Sequence, residues 1–356
     1  MKKIALVTHS YHQLTQSANI YIDEIFSDKE KFKIDIFYNY EWGSKNQFKL
    51  FNQKIENYDA VIILQLISLN LLSHINCKNI IFMPMYDYSR NFNIEQALPL
   101  LGLKILSPVH AMTKKLESLG LSSFEIKYFP EVEEYKQPDF KNIYFWNRLE
   151  EINYKTVLKI FEKYEFLKLN IHTFHDPGNN PKQPSGREIE KYNITFSDWF
   201  ESRDEYISFL KNFGFYIAPR PHEGGGLASF MDAMKRGIIV VAPNYAPYNE
   251  YIENGKNGFL YDFVNPKSIN FEELNLSLVS KSAYESISKG RDKWLNSIEN
   301  LHEYIFSDLR NEDSFLFKKN LSNALDNPWY RFGKLNKKNK IKVIFKFIFK
   351  KLKISK

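Results

Sequence analysis

Cysteine is almost missing from this chain: Cys77 stands alone among 356 residues, which excludes an internal disulfide and any cysteine-built metal cluster. The histidines are scattered, and no Asp-x-Asp pair occurs anywhere in the sequence. No long uncharged apolar run is present, so a membrane-spanning helix is not expected. Only four apolar residues, Ile4 to Val7, lie between Lys3 and Thr8, too few for a secretory signal, and a cytoplasmic protein is expected. Internal repeats are absent too. Acidic residues are missing from one end: Lys334 to Lys356 holds ten lysines and no acid. Elsewhere 39 basic residues face 42 acids, a net of −3, so the whole excess of the +7 chain resides in that tail. At this length the chain fits two domains, with 44% hydrophobic residues to supply two cores.

The segment Phe215 to Asp262 is the most informative stretch that is present. Phe215 to Ala218 is an apolar run closed by Pro219 and Pro221, and Ile238 to Ala242 is a β-branched run closed by Pro243 and Asn244. Between them Leu227, Phe230, Met231 and Met234 recur at helical spacing, and Gly237 stops the pattern. The order predicts a βαβ unit. Its first loop then opens at the carboxyl edge of a parallel sheet, where Gly224, Gly225 and Gly226 let backbone amides approach an anion. Glu223 beside such a site suits neutral hydroxyls, as of a sugar, better than phosphate. Three glycines alone equally make a flexible turn, and Asp232 alone equally favours a helix's first turn.

Taken together, EGGGLASFMDAM and the following NGKNGFLYD resemble the donor-sugar motif of GT-B glycosyltransferases, especially glycosyltransferase family 4, whose two acids are separated by seven residues. Upstream, YFWNRLEEINYKTVLKIFEKY resembles the first strand and helix of that family's C-terminal domain, with Arg148 and Lys155 where an Arg and a Lys grip the donor diphosphate. The likeness covers about residues 140 to 305. It implies an α/β GT-B fold of two Rossmann-like domains facing a cleft, and retention of anomeric configuration. For donor binding it implies Arg148, Lys155, Glu223, Gly224, Gly225, Gly226, Leu227 and Asp232, with Glu223 also in a catalytic role. The departures are specific. Eight residues separate Glu223 from Asp232, the second acid is Asp, and Ala228 follows Gly-Leu where the family often has Pro. One extra residue accounts for this if Asp232-Ala233-Met234 matches the family's Glu-Ala-Met; the alternative puts Met231 in the acid's place. With Asp-x-Asp missing, no metal and no other cofactor is expected, and the fixed cations take over the electrostatic role.

The N-terminal half repeats the α/β grammar. Strands are expected from Lys2 to His9, Ala60 to Leu66, Asn79 to Met83 and Lys104 to Ser107, with a helical pattern through Ile20, Ile22 and Ile25 and a helix closed by Gly120. The Pro-bounded stretch FPEVEEYKQPDF reads as a linker, so the expected domains are 1–138 for the acceptor and 139–310 for the donor. A crossover segment, 311–335, and a basic tail, 336–356, follow. In the resembling family the acceptor binds the first half. His9 and Asp87 are the candidates there for receiving a proton or steadying positive charge, and His12 and Tyr86 for contacting the acceptor. A lone His or Asp after a strand is also an ordinary turn or cap residue. HDPGNNPKQPSGREIEKYN from His175 reads as a flap near the nucleobase.

In the tail, Ile341, Ile344, Phe345, Ile348 and Leu352 fall on one helical face and Lys342, Lys346, Lys350 and Lys353 on another, with Phe349 beside them. This predicts a basic amphipathic helix lying on an anionic membrane through Lys342, Phe345, Lys346, Phe349 and Lys350. A disordered extension, or a helix docked on the other domain, is the competing reading. Nucleic acid is not expected, because the rest of the chain is slightly acidic and lacks a stacking platform. The expected function is transfer of a sugar from a nucleotide-sugar donor to a lipid-linked or envelope saccharide, at the inner face of the plasma membrane. A nucleotide-sugar epimerase of the same fold and an inactive membrane scaffold are the alternatives.

Overall fold

The computed structural model describes residues 1–15, 19–41, 49–97, 100–173, 179–224 and 229–308. The first half forms strands β1 (Lys2–His9), β2 (Phe32–Asn39), β3 (Ile55–Glu56), β4 (Ala60–Leu64), β5 (Ile75–Asn76), β6 (Ile80–Met83), β7 (Lys104–Ser107) and β8 (Phe124–Glu125). The second forms β9 (Asn142–Trp146), β10 (Lys168–His172), β11 (Ile194–Ser197), β12 (Phe215–Ile217), β13 (Ile239–Pro243) and β14 (Phe259–Tyr261). Two six-stranded sheets result, ordered β2-β1-β4-β6-β7-β8 and β11-β10-β9-β12-β13-β14, while β3 and β5 pair separately. Neighbouring strands run parallel, as in the registers Val7↔Ile63 and Phe145↔Ile217.

Burial on both faces explains why the central strands read as continuous apolar runs. Ala5, Val7, Val61, Ile63 and Phe82 enter one core, and Ile4, Leu6, Ile62, Leu64 and Ile81 enter another on the opposite face. The second sheet divides likewise, Phe145, Ile217 and Val241 on one side and Tyr144, Tyr216 and Val240 on the other. In both sheets the strand order reverses once, between β1 and β4 and between β9 and β12. Each reversal opens a crevice at the carboxyl ends of the strands, where ligands of such sheets bind.

Residues 129–140 link the two halves without helix or strand before Phe140 turns into β9. The chain returns through the 31-residue helix Leu276–Phe306. Its Leu276 and Val279 pack on the second domain, and its Trp294, Leu301 and Ile305 complete a core of the first. The return therefore happens inside this helix, ahead of the 311–335 segment expected to make it, which lies outside the described residues together with the tail. Gly290 lets the helix pass directly over Phe129 of the linker, since a Cβ there would overlap that ring. Lys104 fastens the far end, donating to the carbonyls of Ile305 and Ser307.

Candidate active site

The switch point of the second sheet carries the residues singled out for the donor. The chain leaves β9 at Trp146, and the Arg148 guanidinium lies 4.6 Å from the centre of the Trp146 ring, a cation–π contact that orients it. Helix Tyr154–Ile160 follows, capped by Asn153, whose side chain accepts the Lys155 amide at 3.0 Å. The Lys155 ammonium is half exposed and stands 4.0 Å from Glu188. Ser185, at the other end of a capping box, holds the Glu188 carboxyl down to about 2, with help from Tyr154 and Lys155. That box starts the helix Gly186–Lys191 inside the segment expected to be a flap, so part of that stretch is ordered helix.

Glu223 leaves the neighbouring strand β12 and is only 5% exposed. Arg220 spans it to the other domain: Nη2 lies 3.1 Å from Glu223, and Nη1 lies 3.0 Å from Asp87, in the short helix Tyr86–Ser89 after β6. Beside this bridge the Tyr86 amide donates to the Gly224 carbonyl at 3.0 Å. A Cβ on Gly224 would lie 3.0 Å from the terminal methyl of Met85 and 3.4 Å from an Asp87 carboxylate oxygen, which places this loop close against the first domain. His222 packs edge-on against Tyr86 and lies tilted over Tyr245, ring centres 4.9 Å apart, and its Nδ1–H donates to the Ala246 carbonyl. Burial first, then the Arg90 charge, lowers its pKa. Glu223 and Arg148 both act on the buried Tyr216 hydroxyl, which burial raises most and which pairs with Ser229 at 2.5 Å.

Asp232 lies in the helix Ser229–Met234 and is 4% exposed. Its carboxylate is taken by Arg203 at 2.8 and 2.9 Å, with Lys235 3.9 Å away. Met231, the alternative for the second acid, belongs to the apolar core. Gly225, Gly226 and Leu227 lie outside the described residues.

The first sheet's switch point gathers His9, at the end of β1, His12, just beyond it, and Gln65, just after β4. His9 Nδ1 accepts the Tyr11 amide at 3.0 Å, a local turn bond. His12 is buried and its Nε2–H donates to Gln65 Oε1 at 3.1 Å. Gln65 itself adopts φ +64°, a conformation uncommon outside glycine. Burial lowers the His12 pKa most, and the charge of Asp87 reaches it as well.

Of the residues picked out by sequence, Tyr86, Asp87, Glu223 and Gly224 thus meet across the cleft. Arg148 follows β9, the strand paired with the one that leads to Glu223, whereas Lys155 and Asp232 have carboxylate and guanidinium partners of their own. Arg220, Gln65 and Arg203 carry no sequence signal, because each acquires its role from a partner on another element. Trp146 lies within the quoted upstream motif and His222 immediately ahead of the glycine motif, and no local pattern marks either.

Residues 133–293 match the family model described as "Glycosyl transferases group 1". No curated protein matches the chain. Among solved structures, Anabaena Alr3699/HepE, determined with UDP and glucose, aligns over 85% of this chain and 99% of its own with 12% identity and a TM-score of 0.58. A glycosyltransferase from Rickettsia africae ESF-5 aligns over 86% and 99%, with 10% identity and a TM-score of 0.57. TarM is 20% identical over 70% of this chain, with a TM-score of 0.51, and the alignment spans only 56% of TarM's length. These likenesses establish the two-domain GT-B fold. Residues 133–293 carry the glycosyl transferases group 1 domain, and the chain is a glycosyltransferase built on that fold.

Proposed function

We propose that this enzyme moves a sugar from a nucleotide diphosphate to a saccharide that is lipid-linked or part of an envelope glycan, with retention and without a bound metal. The observation that carries the reading is the Arg220 bridge that brings Glu223 and Asp87 together across the cleft, beside the second sheet's switch point, where Arg148 follows β9, the strand paired with β12. In this reading Arg148 and Lys155 receive the diphosphate, whose negative charge grows as the bond from the anomeric carbon to phosphate oxygen breaks. Glu223 accepts hydrogen bonds from the sugar's hydroxyls. The acceptor hydroxyl attacks the face that the diphosphate leaves, and its proton passes to the departing phosphate oxygen, so no protein nucleophile is required. Asp87, His9, His12 and Tyr86 stand on the acceptor's side.

HepE was determined with UDP-glucose as well as with UDP, which makes UDP-glucose the first donor to try. Among the described residues no helix is long and apolar enough to cross a membrane, and the membrane contact is assigned to the basic tail. A one-dimensional proton NMR spectrum of the product tests the stereochemistry: the donor's anomeric configuration is expected in the new linkage, and the opposite configuration would contradict retention.

A further inference from the structure

Arg220 touches candidate site carboxylates from both domains, and neither composition nor the family motif singles it out. Its side chain is 18% exposed, that of Asp87 20% and that of Glu223 7%, so the bridge is largely shielded from solvent. A partly buried ion pair is costly to break from one side, because the surviving charge is left without its counter-ion. Here the guanidinium sends one nitrogen to each carboxylate, at 3.0 and 3.1 Å. A lysine, a single point charge on a flexible stem, cannot reproduce that fork. The bond from Tyr86 N–H to Gly224 O closes the same junction one residue to the side of each carboxylate. The segment Met85–Asp87 therefore touches the loop that carries Glu223 through an ion pair and a hydrogen bond.

We infer that Arg220 is a positioning residue that couples closure of the two domains to the seating of Glu223. With the domains together, Asp87 holds one side of the guanidinium, and the other side fixes the Glu223 carboxylate at the loop mouth. With the domains apart, Arg220 loses Asp87, and the Glu223 carboxylate loses the anchor that fixes its orientation toward the sugar. Diphosphate capture by Arg148 and Lys155 does not involve this bridge. Seating of the sugar does. The inference rests on the proposed donor site for its kinetic consequence, and on the junction alone for its structural one.

Hydrogen exchange of the Tyr86 amide in the ligand-free full-length protein reads the junction without any substrate. Arg220→Gln and Asp87→Asn are each expected to speed that exchange about tenfold or more, the double variant no further, with the Tyr216 amide in the sheet unaffected. With UDP-glucose as donor, Arg220→Gln should lower kcat about tenfold or more while the Kd for UDP stays within about twofold, and Arg220→Lys should recover part of the lost kcat. Unchanged Tyr86 exchange in both single variants would overturn the latch whatever the activity. Faster exchange with an unaltered kcat would reduce Arg220 to a tether and overturn the positioning role. A wild-type enzyme that turns over no nucleotide-sugar would overturn the proposed function, leaving the exchange comparison to decide the latch by itself.

Discussion

Glu250 of the second domain accepts the backbone amide of His110 in the first at 2.7 Å, and its other oxygen accepts the Ala111 amide at 2.9 Å. Helix His110–Ser118 has Val109 at its N-cap and no side chain of its own there, so a carboxylate from across the cleft supplies the cap. Lys127 strengthens the junction by donating to the Glu250 carbonyl at 2.7 Å.

Glu250→Ala should accordingly destabilise the protein by about 1–2 kcal/mol, the usual cost of a lost N-cap. Glu250→Gln keeps one acceptor oxygen and should lose less. Urea unfolding of both variants checks the ordering, and equal stability of all three proteins would show that the cap contributes nothing.

How far the sequence revealed this architecture depends on where each strand lies. β4, β6 and β7 are buried on both faces and read as apolar runs. β2 is half-exposed along FKIDIFYN, and β11 is an edge strand of four residues, so neither shows the pattern that marks a strand. The helix Leu276–Phe306 hides for a related reason: its apolar residues face two different domains along its length. At the site, Arg148 and Glu223 were legible through the family motif. Gln65 and Arg220 were not, since a partner 53 residues away or on another domain leaves no local trace. Ser185 and Glu188 did carry a local capping signature, but it sits among Gly, Pro and Asn residues that suggest a loop.

Arg148→Ala should weaken binding of the nucleoside diphosphate about ten- to hundredfold, the range expected for removing a charge-assisted hydrogen-bond donor. Turnover should fall with it. Calorimetric titration with UDP measures the first and a coupled nucleotide-release assay the second; unaltered values would return Arg148 to the role of an ordinary cation stacked on Trp146.

His12 predicts a pH dependence of stability. Burial lowers its folded-state pKa below the ordinary value of 6.5, so as pH falls through 6.5 the unfolded chain takes up the proton first and stability is lost. The charged groups that reach it are His9 and Asp87. Wild type should therefore lose more stability than His12→Asn between about pH 7.5 and about pH 5.5. Parallel losses in denaturant titrations at both pH values would contradict this.

Removal of the chain after Leu335 should abolish sedimentation with anionic liposomes and leave transfer to a soluble acceptor unchanged, because the ten lysines lie almost wholly in that segment. Undiminished sedimentation of the truncated protein would refute the membrane role of the tail.

The most direct test of a metal-free donor site is thermal unfolding of the full-length protein in EDTA, alone and with UDP, GDP, CDP, CMP or dTDP. A ligand present at about 100 times its Kd adds about 2.7 kcal/mol, which is readily read as a rise in Tm. The account predicts a rise with one nucleoside diphosphate, lost in Arg148→Ala; no rise with any of the five would contradict it and favour a protein that keeps the fold without the donor site.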